Sequence, residues 1–395
     1  MKKKFTIGFI GMTHLGLNYS AVSAQKGNNV LCYDPSKKKI EDLKAEKIYI
    51  TEPKLKETVK KNRQRIIFTN KIDDLKVCEI VYISSDVPTN KNNESSLSEI
   101  KLLIKKIIKV IKKTTFLVIL CQVPPGFVRK IKFNKKFLYY QVETLVFGDA
   151  IQRASKPERI IIGAEDDYFP ENKFKNYLNQ YNCPIINMNY ESAELAKIAI
   201  NVCLVSTICV ANTLSEVCEK INANWFNVTK ALKLDKRIGS YAYLSPGMGI
   251  AGGNLERDLS TITSMGKNKN VNVDVIQSFI QHSNLRRKWA INLINSIRRN
   301  IKISSIAVWG LAYKENTNSV KNSVSLETIE NLEEINIYVH DPVVKKFKFK
   351  NTKVTRYSDK FESLQKTELL AILTPWEEYK NIDLKKFKNI KIVID

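Results

Sequence analysis

The stretch Phe5-Thr6-Ile7-Gly8-Phe9-Ile10-Gly11-Met12-Thr13-His14-Leu15-Gly16-Leu17 decides the fold. Residues 5–10 read as a short buried strand, and a helix is expected from about Gly16 to Lys26. A second strand, Val30–Tyr33, ends in Asp34. Gly11 and Gly16 bracket the turn between strand and helix. The first glycine permits the tight turn, and the last lets the helix pack against the strand. The helix N-terminus then faces a pyrophosphate. An acid at the end of the second strand accepts from ribose hydroxyls and repels a 2′-phosphate, which favours NAD over NADP. Thr13 stands where a middle glycine is usual. Its Cβ crowds the approach, and its hydroxyl offers a donor. The alternative is a turn of this shape that holds no cofactor. The candidate cofactor residues here are Gly11, Met12, Thr13, His14, Leu15, Gly16 and Asp34.

Further strands are expected at Ile80–Ser84, Phe116–Cys121 and Arg159–Ile162, separated by helical stretches such as Leu97–Lys113. Such alternation predicts a parallel, doubly wound sheet. After Tyr190 the pattern changes to a helix without Pro or Gly, Glu191–Asn222, of the length used for connectors and dimer elements. More helix is expected from about Leu259 to Arg299. A second alternation starts at Ser304: strand Ile306–Trp309, helix Ser325–Leu332, then strands Ile335–Val339, Leu369–Leu373 and Ile390–Ile394. The expectation is an α/β chain with two Rossmann-like doubly wound sheet domains joined by a long central helix. The expected domains are 1–188, 189–298 and 299–395.

The chain has 395 residues, 44% of them apolar, and a formal net charge of +24. Its length predicts two or three domains. Nucleic-acid binders concentrate positive charge in one stripe with aromatics between. Here the lysines are spread along the chain, in patches such as 37–39 and 345–346. A solvated basic surface is therefore expected, and no nucleic-acid partner. Attraction of an anionic small substrate is the other use of such a field. Seven cysteines include no CxxC pair, which reads as free thiols in a reducing cytoplasm. His14, His282 and His340 form no metal-ligand spacing, so no metal is expected. The basic start runs directly into a strand, with no secretory pattern. The apolar run Ile198–Leu214 carries Asn201, Ser206, Thr207 and Asn212, so it reads as a buried helix and no membrane partner is expected.

A second decisive stretch is Pro246-Gly-Met-Gly-Ile-Ala-Gly-Gly-Asn254-Leu-Glu-Arg-Asp258. It resembles the catalytic loop of the UDP-glucose/GDP-mannose dehydrogenase family, P-G-x-G-x-G-G-x-C-x-x-K-D. The resemblance extends over nearly the whole chain. Gly11–Leu17 is similar to GxGYVGL, Val87-Pro-Thr-Asn90 to VPTP, and Cys121-Gln-Val-Pro-Pro-Gly-Phe127 to STVPPGT. The family's PEFLREGxA is visible only as residues 142–150, with Val146-Phe147 in place of an Arg-Glu pair. Residues 157–163 are similar to P-x-R-I-V-I-G, and residues 193–201 to A-E-x-x-K-x-x-x-N. Residues 235–239 resemble D-x-R-I-G, and residues 310–317 resemble G-L-A-F-K-x-x-T.

The resemblance implies an NAD-dependent oxidation of a UDP- or GDP-hexose at C6 by a homodimer. Lys197 and Asn201, four apart, share one helical face and would form an oxyanion clamp. Asp258 would hold a water that assists proton removal; the other reading is a cap of the helix that follows, and the two roles are compatible. Glu143 would position water or substrate. Leu145, Arg237, Tyr243, Gly249 and Lys314 would meet the substrate, together with Glu143, Lys197 and Asn201. Pro88, Thr89, Gln122 and Lys321 would lie on the cofactor side. In the family the loop cysteine forms a thiohemiacetal, which is oxidised to a thioester and hydrolysed. Asn254 occupies that position in the resemblance, and an amide cannot replace a thiolate. Oxidation would then stop at the two-electron product or proceed without a thioester. The alternative is a non-catalytic nucleotide-sugar or NAD binding protein.

Overall fold

Along the first strand, β1 (Thr6–Ile10), successive side chains enter opposite layers. Ile7 and Phe9 join one buried cluster, with Val30, Cys32, Ile80 and Tyr82. Ile10 joins another, with Leu31, Tyr33, Val81 and Ile83. A strand apolar on both faces belongs in the middle of a covered sheet. The computed structural model describes residues 4–90, 95–167 and 170–395, and β1 lies there. Its neighbours are β2 (Asn29–Tyr33) and β4 (Ile80–Ile83), both parallel to it.

The remaining strands of this sheet are β3 (Ile66–Thr69), β5 (Phe116–Ile119), β6 (Leu138–Gln141), β7 (Ile160–Ala164) and β8 (Ile185–Asn189). The sheet order is β3-β2-β1-β4-β5-β6-β7-β8. Only the β6–β7 pair is antiparallel. The order reverses between β1 and β4, so the crevice at their carboxyl ends is a topological switch point. Helices α1 (His14–Gln25), α2 (Lys37–Lys44), α3 (Leu55–Lys61), α4 (Ser98–Ile108), α5 (Ala150–Ser155) and α6 (Asn172–Leu178) fill the connections. α1 starts two residues before the sequence expectation, directly after Thr13.

Helix α7 (Tyr190–Lys220) is the long central helix, and the boundary between the chain's two units, Ala199/Ile200, falls within it. Among the described residues it is the helix long and apolar enough to cross a membrane by length and composition. It nevertheless buries Glu194, Lys197, Asn201 and Asn212. In the second unit its Val205 and Cys209 pack with Ile250, Leu259 and Ile276.

After α8 (Trp225–Leu234), the helical stretch expected from Leu259 to Arg299 resolves into three elements. They are α9 (Asn254–Asn268), α10 (Asp274–Arg287) and α11 (Trp289–Asn300). Asn270, in the left-handed region, breaks the first junction. The second sheet has the order β11-β10-β9-β12-β13, all parallel. Its strands are β9 (Ser305–Trp309), β10 (Asn336–His340), β11 (Val354–Arg356), β12 (Leu369–Ile372) and β13 (Ile392–Ile394), with α12 (Val324–Asn331) between β9 and β10. The chain is therefore α/β, with two doubly wound sheets and a central helix.

Candidate functional site

The dinucleotide turn is rigidly held. Gly11 has φ +93°, and a Cβ there would lie 2.2 Å from Ser85 Oγ. Its N–H donates to Tyr33 O at 2.8 Å. A Cβ on Gly16 would lie 2.0 Å from Gly11 O, so helix and turn pack without room for a methyl group. Buried Met12 donates its N–H to Asp34 Oδ2 at 3.0 Å, and its carbonyl accepts from the Tyr49 hydroxyl. Asp34, also buried, accepts from Ser36 N at 3.0 Å and reaches Lys39 Nζ at 3.4 Å. Thr13 precedes α1 without capping it; its hydroxyl donates to Ser84 O at 3.0 Å. The first amides of α1 therefore have no side-chain cap, and its first turn carries no acid. Donors at a helix start, a turn that excludes Cβ atoms and an acid at the end of β2 fit a dinucleotide. His14 Nε2 lies 2.7 Å from Glu52 Oε2, and Leu15 is buried.

Pro88 is exposed, and its carbonyl accepts from Ser96 N. Thr89 bridges to Ser95. Gln122 is half-buried and follows Cys121, whose N–H donates to Ile83 O at the end of β4.

In the same unit, Glu143 Oε1 sits 3.1 Å from Lys197 Nζ, both nearly out of solvent. Glu143 Oε2 accepts from Leu145 N at 2.7 Å, which fixes the carboxylate. One turn before Lys197, buried Glu194 accepts from Gly126 N at 2.6 Å and Val128 N at 2.8 Å. Burial pushes its carboxyl up to about 7, against the opposing pull of those amides.

In the second unit, Asn201 Nδ2 donates to Asp258 Oδ2 at 2.5 Å. Asp258 is 1% exposed, and Arg257 Nε lies 3.5 Å from its other oxygen. The alternative cap role for Asp258 is overturned, because α9 starts at Asn254 and Asp258 lies inside its first turns. The glycine loop before α9 is tied at several points. Gly247 N donates to Asn212 Oδ1, and Gly247 O accepts from Arg286. Ile250 N donates to Ser283 Oγ, and Ile250 O accepts from Arg287. Gly249 packs on Ser283. Asn254 is exposed as the first residue of α9.

Lys321, placed on the cofactor side by the sequence, lies over Gly253: a Cβ there would be 2.6 Å from Lys321 Cε. Its carbonyl accepts from Gly252 N. Arg237 is exposed and paired with Asp235 at 2.6 Å. Tyr243 is 47% exposed, and Lys314 is half-buried in the connection after β9. Among the described residues no group of three His, Cys, Asp or Glu could hold a metal. Burial pushes the Cys32 and Cys78 thiols up to about 12.

Comparison with known proteins shows the family. Family models match the NAD binding domain of the UDP-glucose/GDP-mannose dehydrogenase family at residues 5–177, its central domain at 191–286 and its UDP binding domain at 307–395. UDP-glucose 6-dehydrogenase TuaD of Bacillus subtilis is 30% identical, over 100% of this chain and 89% of that protein. The UDP-glucose 6-dehydrogenase of Rickettsia bellii is 29% identical, over 98% of this chain and 94% of that protein. The chain belongs to the UDP-glucose/GDP-mannose dehydrogenase family.

Solved structures share its fold. A UDP-glucose dehydrogenase from Pyrobaculum islandicum superposes with a TM-score of 0.86 at 23% identity, covering 100% of this chain and 98% of that one. The UDP-N-acetyl-mannosamine dehydrogenase Cap5O from Staphylococcus aureus gives 0.79 at 20%, covering 99% and 94%. The protein is an NAD-dependent nucleotide-sugar dehydrogenase, an oxidoreductase acting on a CH–OH donor. Two carboxylates in this dehydrogenase escaped the sequence reading. Glu52 and Asp341 are buried; the backbone partners of Glu52 lie nearly a hundred residues away, and three of the partners of Asp341 lie about thirty away. Spacing patterns carry no signal for such residues.

Proposed function

We propose that the enzyme oxidises the C6 alcohol of a UDP-hexose, with UDP-glucose as the first candidate, and that it does so without a thioester. One observation carries this reading: Asp258, buried, holds the Asn201 amide, while the exposed residue at position 254 is an asparagine. Lys197 brings up to three N–H donors, one of them directed at Glu143. Asn201 keeps a second amide hydrogen beyond its bond to Asp258. On α7 the two stand one turn apart. Together they stabilise an alkoxide as it forms, the role of an oxyanion clamp. Asp258 takes the hydroxyl proton through a water, a contribution of roughly 10²–10⁴ in rate. Glu143 orients Lys197 and the substrate. NAD, when bound, supplies the hydride acceptor. Lys314 and Arg237 are the cations for the substrate's diphosphate and sugar.

We assign Asn254 to the position of the family's cysteine. Its amide nitrogen lone pair is delocalised, so no covalent adduct forms with the aldehyde. The product is the aldehyde itself, or the acid reached by oxidising the aldehyde's hydrate. Incubation with UDP-glucose and NAD, read by mass spectrometry and NADH yield, separates these outcomes: one NADH per sugar for the aldehyde, two for the acid. Absence of NADH with every UDP- and GDP-hexose would sink the proposal. Asn254→Cys is expected to yield a thioester that hydroxylamine traps.

The same reading includes a homodimer. α7 exposes Val210, Leu214 and Val217, and Ile221 follows just past its end, an apolar stripe at 4-3-4 spacing on the second unit. Light scattering checks this; Val217→Glu is expected to shift the mass to that of one chain.

A further inference from the structure

Glu52 takes no part in the chemistry above, yet its side chain is wholly out of solvent. Burying a carboxylate costs several kcal/mol unless its lone pairs are met, and well-packed apolar residues commonly do as well or better. Its oxygens are met from two separate directions. Oε2 receives His14 Nε2 at 2.7 Å and Gly148 N at 3.0 Å; Oε1 receives Ala150 N at 3.0 Å. His14 is the first residue of α1, in the dinucleotide turn. Gly148 and Ala150 close the loop that begins at Glu143. The His14 ring also lies against Phe147, with centroids 4.0 Å apart. The segment bearing Glu52 touches the turn a second time, where Tyr49 donates to Met12 O. From there the path continues through Leu145 N to Glu143 and Lys197. Every link lies within the first unit.

We propose that Glu52 is a positioning residue that couples the occupied dinucleotide turn to the 143–150 loop through His14. Cofactor binding on the start of α1 fixes His14. His14 fixes the Glu52 carboxylate, and that carboxylate fixes the amides of Gly148 and Ala150. The loop then presents Glu143 to Lys197. The last step rests on the role given to Glu143 under the proposed function; the earlier steps do not.

Hydrogen exchange of the full chain, with and without saturating NAD, tests the earlier steps alone. In the wild type, NAD is expected to slow exchange of the 144–150 amides by about fivefold or more. In Glu52→Gln at NAD saturation, exchange there is expected to stay within about twofold of the ligand-free rate. His14→Ala leaves both loop amides on Glu52 and removes the link together with the ring contact to Phe147. The same loss is expected at NAD saturation, with saturation checked by a separate NAD titration of the variant; this variant serves if Glu52→Gln does not fold. Equal protection in wild type and both variants, or none in the wild type, overturns the proposal. A second arm measures the UDP-glucose Kd with and without NADH. A coupling factor in the usual range of about 5–150 is expected to fall toward 1 in either variant. If UDP-glucose fails to bind while NAD still protects the loop through Glu52, the substrate assignment fails and the coupling stands.

Discussion

In the first sheet the turn after β1 leaves Gly11 and enters α1 at His14. In the second the turn after β9 leaves Gly310 and reaches α12 only at Val324. The starting geometry is the same. Gly11 and Gly310 have φ +93° and +91°, and their N–H groups donate to Tyr33 O and His340 O at the ends of β2 and β10. Both second strands are followed by an aspartate, and the two carboxylates differ in how far they are used. Asp341 accepts from Leu311 N, Ala312 N, Val343 N, Val344 N and Trp376 Nε1. A carboxylate offers about four lone-pair sites, so Asp341 is saturated by its own domain. Asp34 accepts two amides and a lysine at 3.4 Å, and retains capacity for a ligand. At the helix starts the contrast repeats. Ser323 caps α12 by accepting from Leu326 N, whereas Thr13 leaves α1 uncapped. One framework thus carries an aspartate left open to a dinucleotide in the first domain and an aspartate closed on its own turn in the second.

The comparison breaks most easily at the aspartates. Asp341→Asn turns an NH2 group toward backbone donors and leaves buried amides unmet. The expected loss is about 3 kcal/mol or more in stability by denaturant titration, with NAD affinity intact. Asp34→Asn reverses the pattern: a smaller stability loss, weaker NAD binding, and a narrower gap between NAD and NADP. Equal stability losses would mean that Asp34 is as self-satisfied as Asp341.

Next in size is the close approach at Gly16. Gly16→Val sets a Cβ 2.0 Å from Gly11 O, and NAD affinity is expected to fall at least about 100-fold, or 2.7 kcal/mol. Gly310→Val, crowding Thr374 at 2.4 Å, is expected to lower thermal stability and leave the NAD Kd within about twofold. Smaller again is Ser323→Ala, which removes a helix cap for about 1 kcal/mol and does not change NAD binding.

Sequence alone carried the open site further than the closed one. Gly11, Gly16 and Asp34 form a local pattern, and the strands around them are long runs of apolar residues. The second sheet's alternation was legible, but Asp341 was not: it follows its strand as Asp34 follows β2, yet Gly310 has no second glycine at the spacing of Gly16, so the local pattern is incomplete. β3, β6, β8 and β11 were also missed. β6 is buried but only four residues long, and the other three lie at sheet edges, with exposed or polar residues such as Ile67, Asn187 and Thr355. Short, half-solvated strands lack the alternation that identifies a buried one. In the candidate site, the motif letters marked Lys197, Asn201, Asp258 and Glu143. The bonds tying them into pairs span 54 and 57 residues and leave no periodic trace. Glu52, held to Gly148 and Ala150, is the extreme case.

A pH-dependent effect separates the two domains last. In the first, the turn after β5 hangs on Glu194, through Gly126 N and Val128 N. In the second, the turn after β12 is held by the Thr374 hydroxyl on Ala312 O and the Trp376 indole on Asp341. Burial sets the Glu194 carboxyl at about 7, above the ordinary 4.5. Between those values the folded chain binds a proton that the unfolded chain has released. Stability therefore falls as pH rises across that window, and the contribution is complete only below about 4.5. Glu194→Gln does not titrate. Its Oε1 can accept one of the two amides, so the variant starts less stable than the wild type at pH 5. The wild-type advantage should then shrink by a few degrees of Tm, about 2–4 °C for each kcal/mol lost, on going to pH 8. A constant gap across the range would mean that the amides hold Glu194 ionised throughout, and that the first domain is no more sensitive to pH than the second.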